Sequence, residues 1–262
     1  MRIHYMSDLH LEFGQHTIDL PDGDVLVLAG DITVARTLDP SKTDVRSQRT
    51  QTRTRALFDR ARRNFDRVLY IAGNHEHYGG DIYTTGEILA EHVANGNVQF
   101  CENSAVEING VTFLCCTLWT DMDRRDPDTL RNVDRGLTDF FVVSAGKRRF
   151  SSQLAADIHD QSLQWLRSEL AARSGQPVVV VTHHAPSYRG LAPQFAYSEL
   201  NGGFASNIEH VTADNPNMVA WIFGHTHVRT RFRIRNTMFR ANCAGYPGTD
   251  LDGFDPDTWF EV

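Results

Sequence analysis

The sequence is poor in cysteine and contains no cysteine spacing that would indicate chemistry. Its four cysteines are Cys101, Cys115, Cys116 and Cys243. None of them forms a Cys-x-x-Cys pair, so neither a zinc knuckle nor a redox pair is indicated. We expect these thiols to be buried and reduced, lying in or beside strands.

Long apolar runs and an excess of positive charge are also missing. No run approaches the roughly 18 apolar residues that a membrane span needs, and the first residues lead into a predicted strand instead of a signal-peptide core. We therefore expect a cytoplasmic protein with no membrane partner. The formal net charge of −7 argues against a protein that coats nucleic acid or acidic membranes, although local basic patches remain compatible with it. Nucleic acid is thus open as a partner but not indicated.

The pattern of apolar residues predicts an α/β fold. The chain has 262 residues, of which 41% are hydrophobic, and this length suits one large α/β domain. Five short apolar or β-branched runs predict core strands covered on both faces, at 3–6, 25–29, 68–72, 178–182 and 219–223. Helices that cover these strands are predicted at 47–64, 82–94 and 151–173.

Two hairpins and one irregular segment complete the predicted organisation. The pair Asn109-Gly110 predicts a two-residue turn, because both central residues of a type I′ turn need a positive φ. A second hairpin is predicted across 235–237. The polar segment 120–147 is predicted to be a long active-site loop or a small cap.

Five polar segments follow the apolar runs directly, and they contain the residue types that bind metals. They are Asp8-Leu9-His10, Gly30-Asp31, Gly73-Asn74-His75-Glu76, His183-His184 and Gly224-His225-Thr226-His227. Because each segment follows a strand, we expect the side chains to meet at one edge of a sheet. Carboxylates, an amide and imidazoles suit two borderline cations such as Mn, Fe or Zn better than an all-oxygen Ca or Mg site. Two such cations close together are typical of enzymes that cleave phosphoesters.

Each segment alone also has an ordinary structural interpretation. Asp31 after a strand is a common helix cap, and Gly30 permits a tight turn. Seven of the twelve histidines nevertheless lie in or beside these segments, which chance explains poorly: His10, His75, His77, His183, His184, His225 and His227. The other five are expected to be ordinary surface or core residues: His4, His16, His92, His159 and His210.

Read in order, these motifs resemble those of the calcineurin-like metallophosphoesterase superfamily. That family has Asp-x-His, Gly-Asp, Gly-Asn-His-(Glu/Asp), a histidine segment and Gly-His-x-His, and the resemblance spans Asp8 to His227. It implies a β-sandwich of two mixed sheets flanked by helices, with a dimetal site at the C-terminal strand edges. It also implies a single calcineurin-like phosphoesterase domain over 1–262, in which 120–147 is the active-site loop or small cap.

The resemblance further implies a role for each site residue. Seven metal ligands are expected, namely Asp8, His10 and His227 on one cation, Asn74, His183 and His225 on the other, and Asp31 as the bridge. His184 remains an alternative to His183, which we choose because the family's first histidine follows the strand directly. His75 is the expected leaving-group acid. Glu76 is expected to orient neighbouring groups instead of binding metal.

The predicted function is a dimetal-dependent phosphoester hydrolase with two divalent cations, Mn first and Fe, Zn or a mixed pair as alternatives. A metal-bridging hydroxide is expected to attack phosphorus in line while His75 protonates the leaving group. Phosphodiesters are preferred, because enzymes specialised for monoesters often add arginines, and the position after Asp31 offers only Arg36 nearby. His77 and Tyr78 are the other expected substrate contacts, and a nucleotide-like substrate is compatible with them.

Three alternatives to the phosphodiesterase stay open. Two are enzymes of the same fold, a phosphomonoesterase and a nuclease. The third is a metal-binding interaction scaffold without turnover. The scaffold is disfavoured because a degenerate site is expected to lose ligands or the acid, whereas all seven ligand positions and His75 are present. The oligomeric state is not indicated.

Overall fold

The computed structural model describes residues 1–14, 18–248 and 253–262, so His16 lies outside the described part. The described strands are β1 (Arg2–Met6), β2 (Gly23–Ala29), β3 (Phe65–Ile71), β4 (Val98–Phe100), β5 (Ser104–Ile108), β6 (Val111–Cys116), β7 (Ser144–Ala145), β8 (Arg148–Arg149), β9 (Val178–Thr182), β10 (Met218–Phe223), β11 (Thr230–Ile234), β12 (Thr237–Ala241) and β13 (Trp259–Glu261). The described α-helices are α1 (Val45–Asn64), α2 (Thr85–Val93), α3 (Met122–Arg125), α4 (Pro127–Gly136), α5 (Asp139–Val142) and α6 (Ser152–Ala172).

Two mixed sheets form the centre of the fold. One has the order β13-β1-β2-β3-β4, with β1 to β4 parallel and β13 antiparallel. The other has the order β11-β12-β10-β9-β6-β5, in which the four inner strands are parallel and both edge strands antiparallel. This arrangement confirms the predicted pair of mixed sheets.

Alternating residues of the inner strands are buried on opposite faces. In β2, Val25 and Val27 belong to the core between the sheets, whereas Leu26 and Leu28 pack in the core under α1 and α2. The far face of the other sheet is covered by α6. Since both faces of a parallel strand lie against apolar layers, the strand sequences are almost continuously apolar. The helices therefore flank the sheets as predicted.

The predicted helices and strands agree with the structure in kind and differ at their ends. The strand predicted at 178–182 is β9 itself, whereas α2 begins at Thr85 instead of residue 82. Asn109 and Gly110 have φ values of 49° and 79°, which confirms the predicted turn. The second hairpin is tighter than predicted, because Ile234 pairs with Thr237 and the latter belongs to β12.

The segment 120–147, predicted to be an active-site loop or a small cap, contains helices α4 and α5 and, at Met122–Arg125, a turn whose residues have positive φ. We refer to this segment as the cap. Helix α4 begins with Pro127 at its first turn, and Asp126 Oδ2 accepts from Thr129 N at 2.9 Å. Trp119 and Phe140 belong to an apolar cluster that joins this segment to the first turns of α6. The cap is thus anchored on the same layer that covers the sheet.

The burial of the cysteines agrees with the expectation from composition. All four cysteines are free and buried, as predicted. Among the described residues, no helix combines the length and the apolar character that crossing a membrane requires.

Candidate metal centre

The predicted ligands lie on loops that follow the carboxyl ends of parallel strands. The preceding strands end at Met6 (β1), Ala29 (β2), Ile71 (β3), Thr182 (β9) and Phe223 (β10). The loops are connected by backbone hydrogen bonds, among them Asp8 N to the Gly30 oxygen at 3.0 Å and Gly224 N to the His183 oxygen at 2.9 Å. The two sheets therefore present their polar segments at a shared edge, as the sequence pattern predicted.

Several ligands have a backbone conformation that residues other than glycine rarely adopt. Asp8, His10, Asp31, His225 and His227 have φ values between 44° and 67°. Such conformations cost of the order of 1–3 kcal/mol each and cluster at functional sites, where the surrounding structure enforces them. Here they turn the chain sharply just after each strand.

The ligand side chains form two adjoining clusters that share Asp31. The first contains Asp8, His10, Asp31 and His227, and the second contains Asp31, His183 and His225, with the ligand atoms of each cluster within 4.8 Å of one another. Asp31 Oδ2 lies 3.8 Å from His10 Nε2, whereas Asp31 Oδ1 lies 3.5 Å from His183 Nε2. One carboxylate thus faces each cluster with a different oxygen, as expected of a bridge.

Asn74 completes the second cluster and helps to distinguish His183 from His184. Asn74 Oδ1 lies 3.1 Å from His183 Nε2, and the other ring nitrogen of His183 lies 2.8 Å from the Ala29 carbonyl oxygen. His184 instead stacks on Trp119, with ring centroids 4.8 Å apart, and belongs to neither cluster. This geometry favours His183 as the ligand of the segment.

The arrangement of the donor atoms suits the binding of two divalent cations better than it suits hydrogen bonding among the side chains. His10 Nε2 and His227 Nε2 face each other at 3.0 Å, and within the described residues the buried His225 Nε2 has no hydrogen-bond partner. Buried polar atoms are normally paired, so an orphaned imidazole nitrogen beside carboxylates fits the role of a cation ligand. Seven nitrogen and oxygen donors are also too many for one tetrahedral zinc.

Glu76 connects the two loops that hold Asp31 and Asn74 without joining either cluster. Its carboxylate accepts from the backbone nitrogens of Asp31 at 2.9 Å and Gly73 at 2.6 Å, and also from the Tyr70 hydroxyl at 2.8 Å. The orienting role predicted for Glu76 agrees with these contacts. Gly73 is required for the same close approach, because a Cβ there would collide with Asp31 Oδ1 and lie 2.6 Å from His183 Cε1.

His75 lies beside the first cluster and is held by a carboxylate that sequence reasoning missed. Glu12 Oε1 lies 2.8 Å from His75 Nδ1 and 3.3 Å from His10 Nδ1. Burial alone would lower the pKa of His75, but the Asp31 charge and the hydrogen bond and charge of Glu12 raise it to about 9. These contacts favour the protonated ring. When Nδ1–H donates to Glu12, Nε2 remains available for a second hydrogen bond.

A cavity of about 310 Å³ opens onto the metal centre. Its described lining consists of Asp31, Asn74, His75, Tyr78, Gly136, Leu137, Thr138, Asp139, Phe195, Phe204, His225, Thr226, His227 and Tyr246. The cap contributes 136–139, including the buried carboxyl group of Asp139, whose pKa is raised by burial. Sequence reasoning missed Asp139, and it missed Tyr246 as well, because neither follows a strand-end motif.

Of the three predicted substrate contacts, only Tyr78 lies at this cavity. Its ring stacks on His75, with centroids 4.1 Å apart. His77 is buried, and its ring centroid lies 5.9 Å from that of Trp119. The short 3-10 turn His75–His77 places this side chain on the inner side. Arg36 lies in a neighbouring cavity, where its Nη1 donates to the Gly79 oxygen at 3.3 Å.

Comparisons with known proteins identify the family of this chain and a solved structure of similar fold. An uncharacterised protein of Acanthamoeba polyphaga mimivirus is 23% identical, over 100% of this chain and 97% of that protein. The crystal structure of phosphopantetheinyl hydrolase from Mycobacterium tuberculosis has a similar fold, with a TM-score of 0.64 and 18% identity over 94% of this chain and 89% of that one. The family described as calcineurin-like phosphoesterase matches residues 1–229, and the chain therefore belongs to that family of metal-dependent phosphoester hydrolases.

Proposed function

We propose that this protein is a phosphodiesterase that works with two divalent cations at the shared strand edge. Family membership supports a phosphoester hydrolase, and the lining of the cavity is the observation that carries the narrower proposal. No lysine or arginine is among the described residues that line it. A scaffold without turnover is disfavoured, because both clusters and His75 lie together at the cavity, an arrangement that supports catalysis.

The proposed ligands follow the two clusters. Asp8, His10 and His227 would hold one cation, Asn74, His183 and His225 would hold the other, and Asp31 would contribute to both. Mn²⁺ is the proposed metal, with Fe, Zn or a mixed pair as alternatives. When bound, the cations supply Lewis acidity, which lowers the pKa of water and polarises the phosphoryl group.

The remaining work falls to side chains of the chain itself. Glu12 accepts from His75 Nδ1–H and fixes the ring, so that Nε2 holds a proton for the departing alkoxide. Tyr78 stacks on the other side of that ring and limits its rotation. The cap residues 136–139 close one side of the cavity, where we propose that they exclude water from the reacting ester.

The charge of the cavity favours a diester over a monoester. A monoester dianion concentrates charge on its non-bridging oxygens, and arginine forks are the usual match for it. This cavity offers no such fork and instead contains the carboxyl group of Asp139, which adds no positive charge in either protonation state. A diester carries one charge fewer, and its second ester group has apolar contacts available at Phe195 and Phe204.

We expect bis(4-nitrophenyl) phosphate to be cleaved with a kcat/KM on the order of tenfold above that of 4-nitrophenyl phosphate. That ratio corresponds to about 1.4 kcal/mol in the transition state. Both esters are measured at the same pH and the same Mn²⁺ loading. A pantetheine phosphoester is added to the panel, because the structurally similar M. tuberculosis protein is a phosphopantetheinyl hydrolase.

A preference for the monoester would contradict the phosphodiesterase. If Arg36→Ala also reduced that preference, the phosphomonoesterase alternative would replace it. Arg63→Ala is the matched control, because Arg63 is exposed at the far end of α1 and is not part of the cavity. Arg63→Ala removes one arginine charge, as Arg36→Ala does, without changing the lining of either cavity.

A further inference from the structure

A second cavity, of about 390 Å³, adjoins the metal centre. Tyr78 lines both cavities. Phe13 lines the second cavity, and its ring centroid lies 6.1 Å from that of His75 and 5.4 Å from that of Tyr246, both of which line the first. The two cavities therefore share a wall at Tyr78 and lie side by side.

The second cavity contains three basic side chains that have no carboxylate partner. Arg36, Lys42 and Arg46 all line it, and within the described residues none of them forms an ion pair. Arg36 donates to a backbone oxygen, and the guanidinium of Arg46 lies 6.0 Å from the Phe13 ring centroid. Basic side chains gathered in a cleft attract anionic ligands.

Neither of the two carboxylates that line this cavity pairs with the three basic side chains. Asp44 caps α1, with Oδ1 accepting from Ser47 N at 3.0 Å and Oδ2 accepting from the Ser47 hydroxyl at 2.7 Å. Glu12 Oε1 accepts from His75 Nδ1 at 2.8 Å, whereas Glu12 Oε2 is buried and has no hydrogen-bond partner among the described residues. These acidic groups therefore do not neutralise the three basic side chains by direct pairing.

Three other basic residues of α1 make contacts within the fold, and none of these three lines the second cavity. Arg53 Nη1 donates to the Leu11 oxygen at 3.0 Å, and Arg60 donates to the Ile18 oxygen. Arg62 pairs with Asp59 at 3.2 Å. The basic side chains at and before the start of α1 thus remain available for a ligand.

We propose that the substrate carries a second phosphate group, and that Arg36, Lys42 and Arg46 bind it while the scissile diester lies at the metal centre. This inference rests on the proposed phosphodiesterase. Guanidinium forks match phosphate oxygens with two parallel hydrogen bonds, and lysine adds a mobile point charge. The Phe13 side chain, 54% exposed, offers a flat apolar surface for the organic part between the two phosphates. A nucleotide with phosphates on both sides of its ribose has this chemistry.

Two chromogenic substrates that differ by one phosphate test this directly. Thymidine 5′-(4-nitrophenyl phosphate) is compared with the same ester carrying a 3′-phosphate, using the Mn²⁺-loaded full chain. We expect the 3′-phosphate to raise kcat/KM by about tenfold or more, mainly through KM. The double variant Lys42→Ala, Arg46→Ala should bring the ratio close to one, whereas the control Arg63→Ala should keep it.

The calorimetric affinities for thymidine 3′,5′-bisphosphate and thymidine 5′-phosphate measure the effect of the 3′-phosphate on binding without turnover. We expect the bisphosphate to bind about tenfold more tightly or more. A ratio near one in the wild type, or a ratio that survives the double variant, would overturn the second phosphate site. Turnover of the ester without a 3′-phosphate would then still support the phosphodiesterase. If neither ester is cleaved under Mn²⁺, the phosphodiesterase fails, and this inference falls with it.

Discussion

Asp31→Ala is expected to abolish binding of both cations and to lower kcat/KM by about 10³-fold or more. The two Asp31 oxygens face different clusters, so removing this one carboxylate removes a ligand from each. Burial alone would raise the pKa of Asp31, but the charges of His183 and His75 hold it well below its usual value. The group is therefore ionised and ready to bind metal. Each cation is worth several kcal/mol of transition-state stabilisation, hence the size of the expected loss.

Bound metal is measured by elemental analysis after Mn²⁺ reconstitution and desalting. Asp31→Asn serves as a second variant of similar shape, whose amide offers only one oxygen to the two clusters. Asp66→Ala is the matched control, since Asp66 is exposed on β3 and outside both clusters. Full occupancy of two cations in folded Asp31→Ala protein would show that Asp31 is not the bridge.

His75→Ala is expected to leave both cations in place and to slow cleavage according to the leaving group. General acids contribute typically 10²–10⁴-fold, and the contribution is largest for basic alkoxides that must be protonated as they depart. Alkyl phosphodiesters should therefore lose about that factor in kcat, whereas 4-nitrophenyl esters, whose leaving group is a good one, should lose much less. Steady-state rates on the two ester classes measure the difference.

Glu12→Gln distinguishes two effects of Glu12 on His75, namely its charge, which favours the protonated ring, and its hydrogen bond, which positions the ring. A glutamine still accepts from His75 Nδ1 through its amide oxygen but lacks the charge that helps to raise the pKa of His75. We expect the same leaving-group pattern with a smaller loss.

Equal losses on both ester classes in His75→Ala would instead assign His75 to positioning the phosphate.

The two clusters of ligand-type residues were predictable from the sequence because their signals are local. Each predicted ligand follows a short apolar run within a few residues, and parallel strands bring such ends to one edge. Asp8 and Asp31 could therefore be placed together although 23 positions separate them in the chain. The same reasoning identified the hairpin at Asn109-Gly110, whose backbone requirement is specific to a few residue types.

The residues that sequence reasoning missed act through tertiary contacts. Glu12 meets His75 across 63 positions of the chain, and only its place two residues after His10 offered a signal. Asp139 reaches the cavity on the cap, whose helices were hidden by a polar composition although Asp126-Pro127 is a helix start signal. Arg36 was assigned to the site because it follows Asp31 closely, but it lies in the second cavity.

The central claim is that two cations at this shared strand edge drive phosphodiester hydrolysis. It is tested most directly by stripping the protein with a chelator and titrating it with Mn²⁺ while the turnover of bis(4-nitrophenyl) phosphate is followed. We predict negligible turnover without metal and a rate that reaches its plateau at two equivalents of Mn²⁺ per chain. A plateau at one equivalent, or full turnover in the stripped protein, would contradict the account.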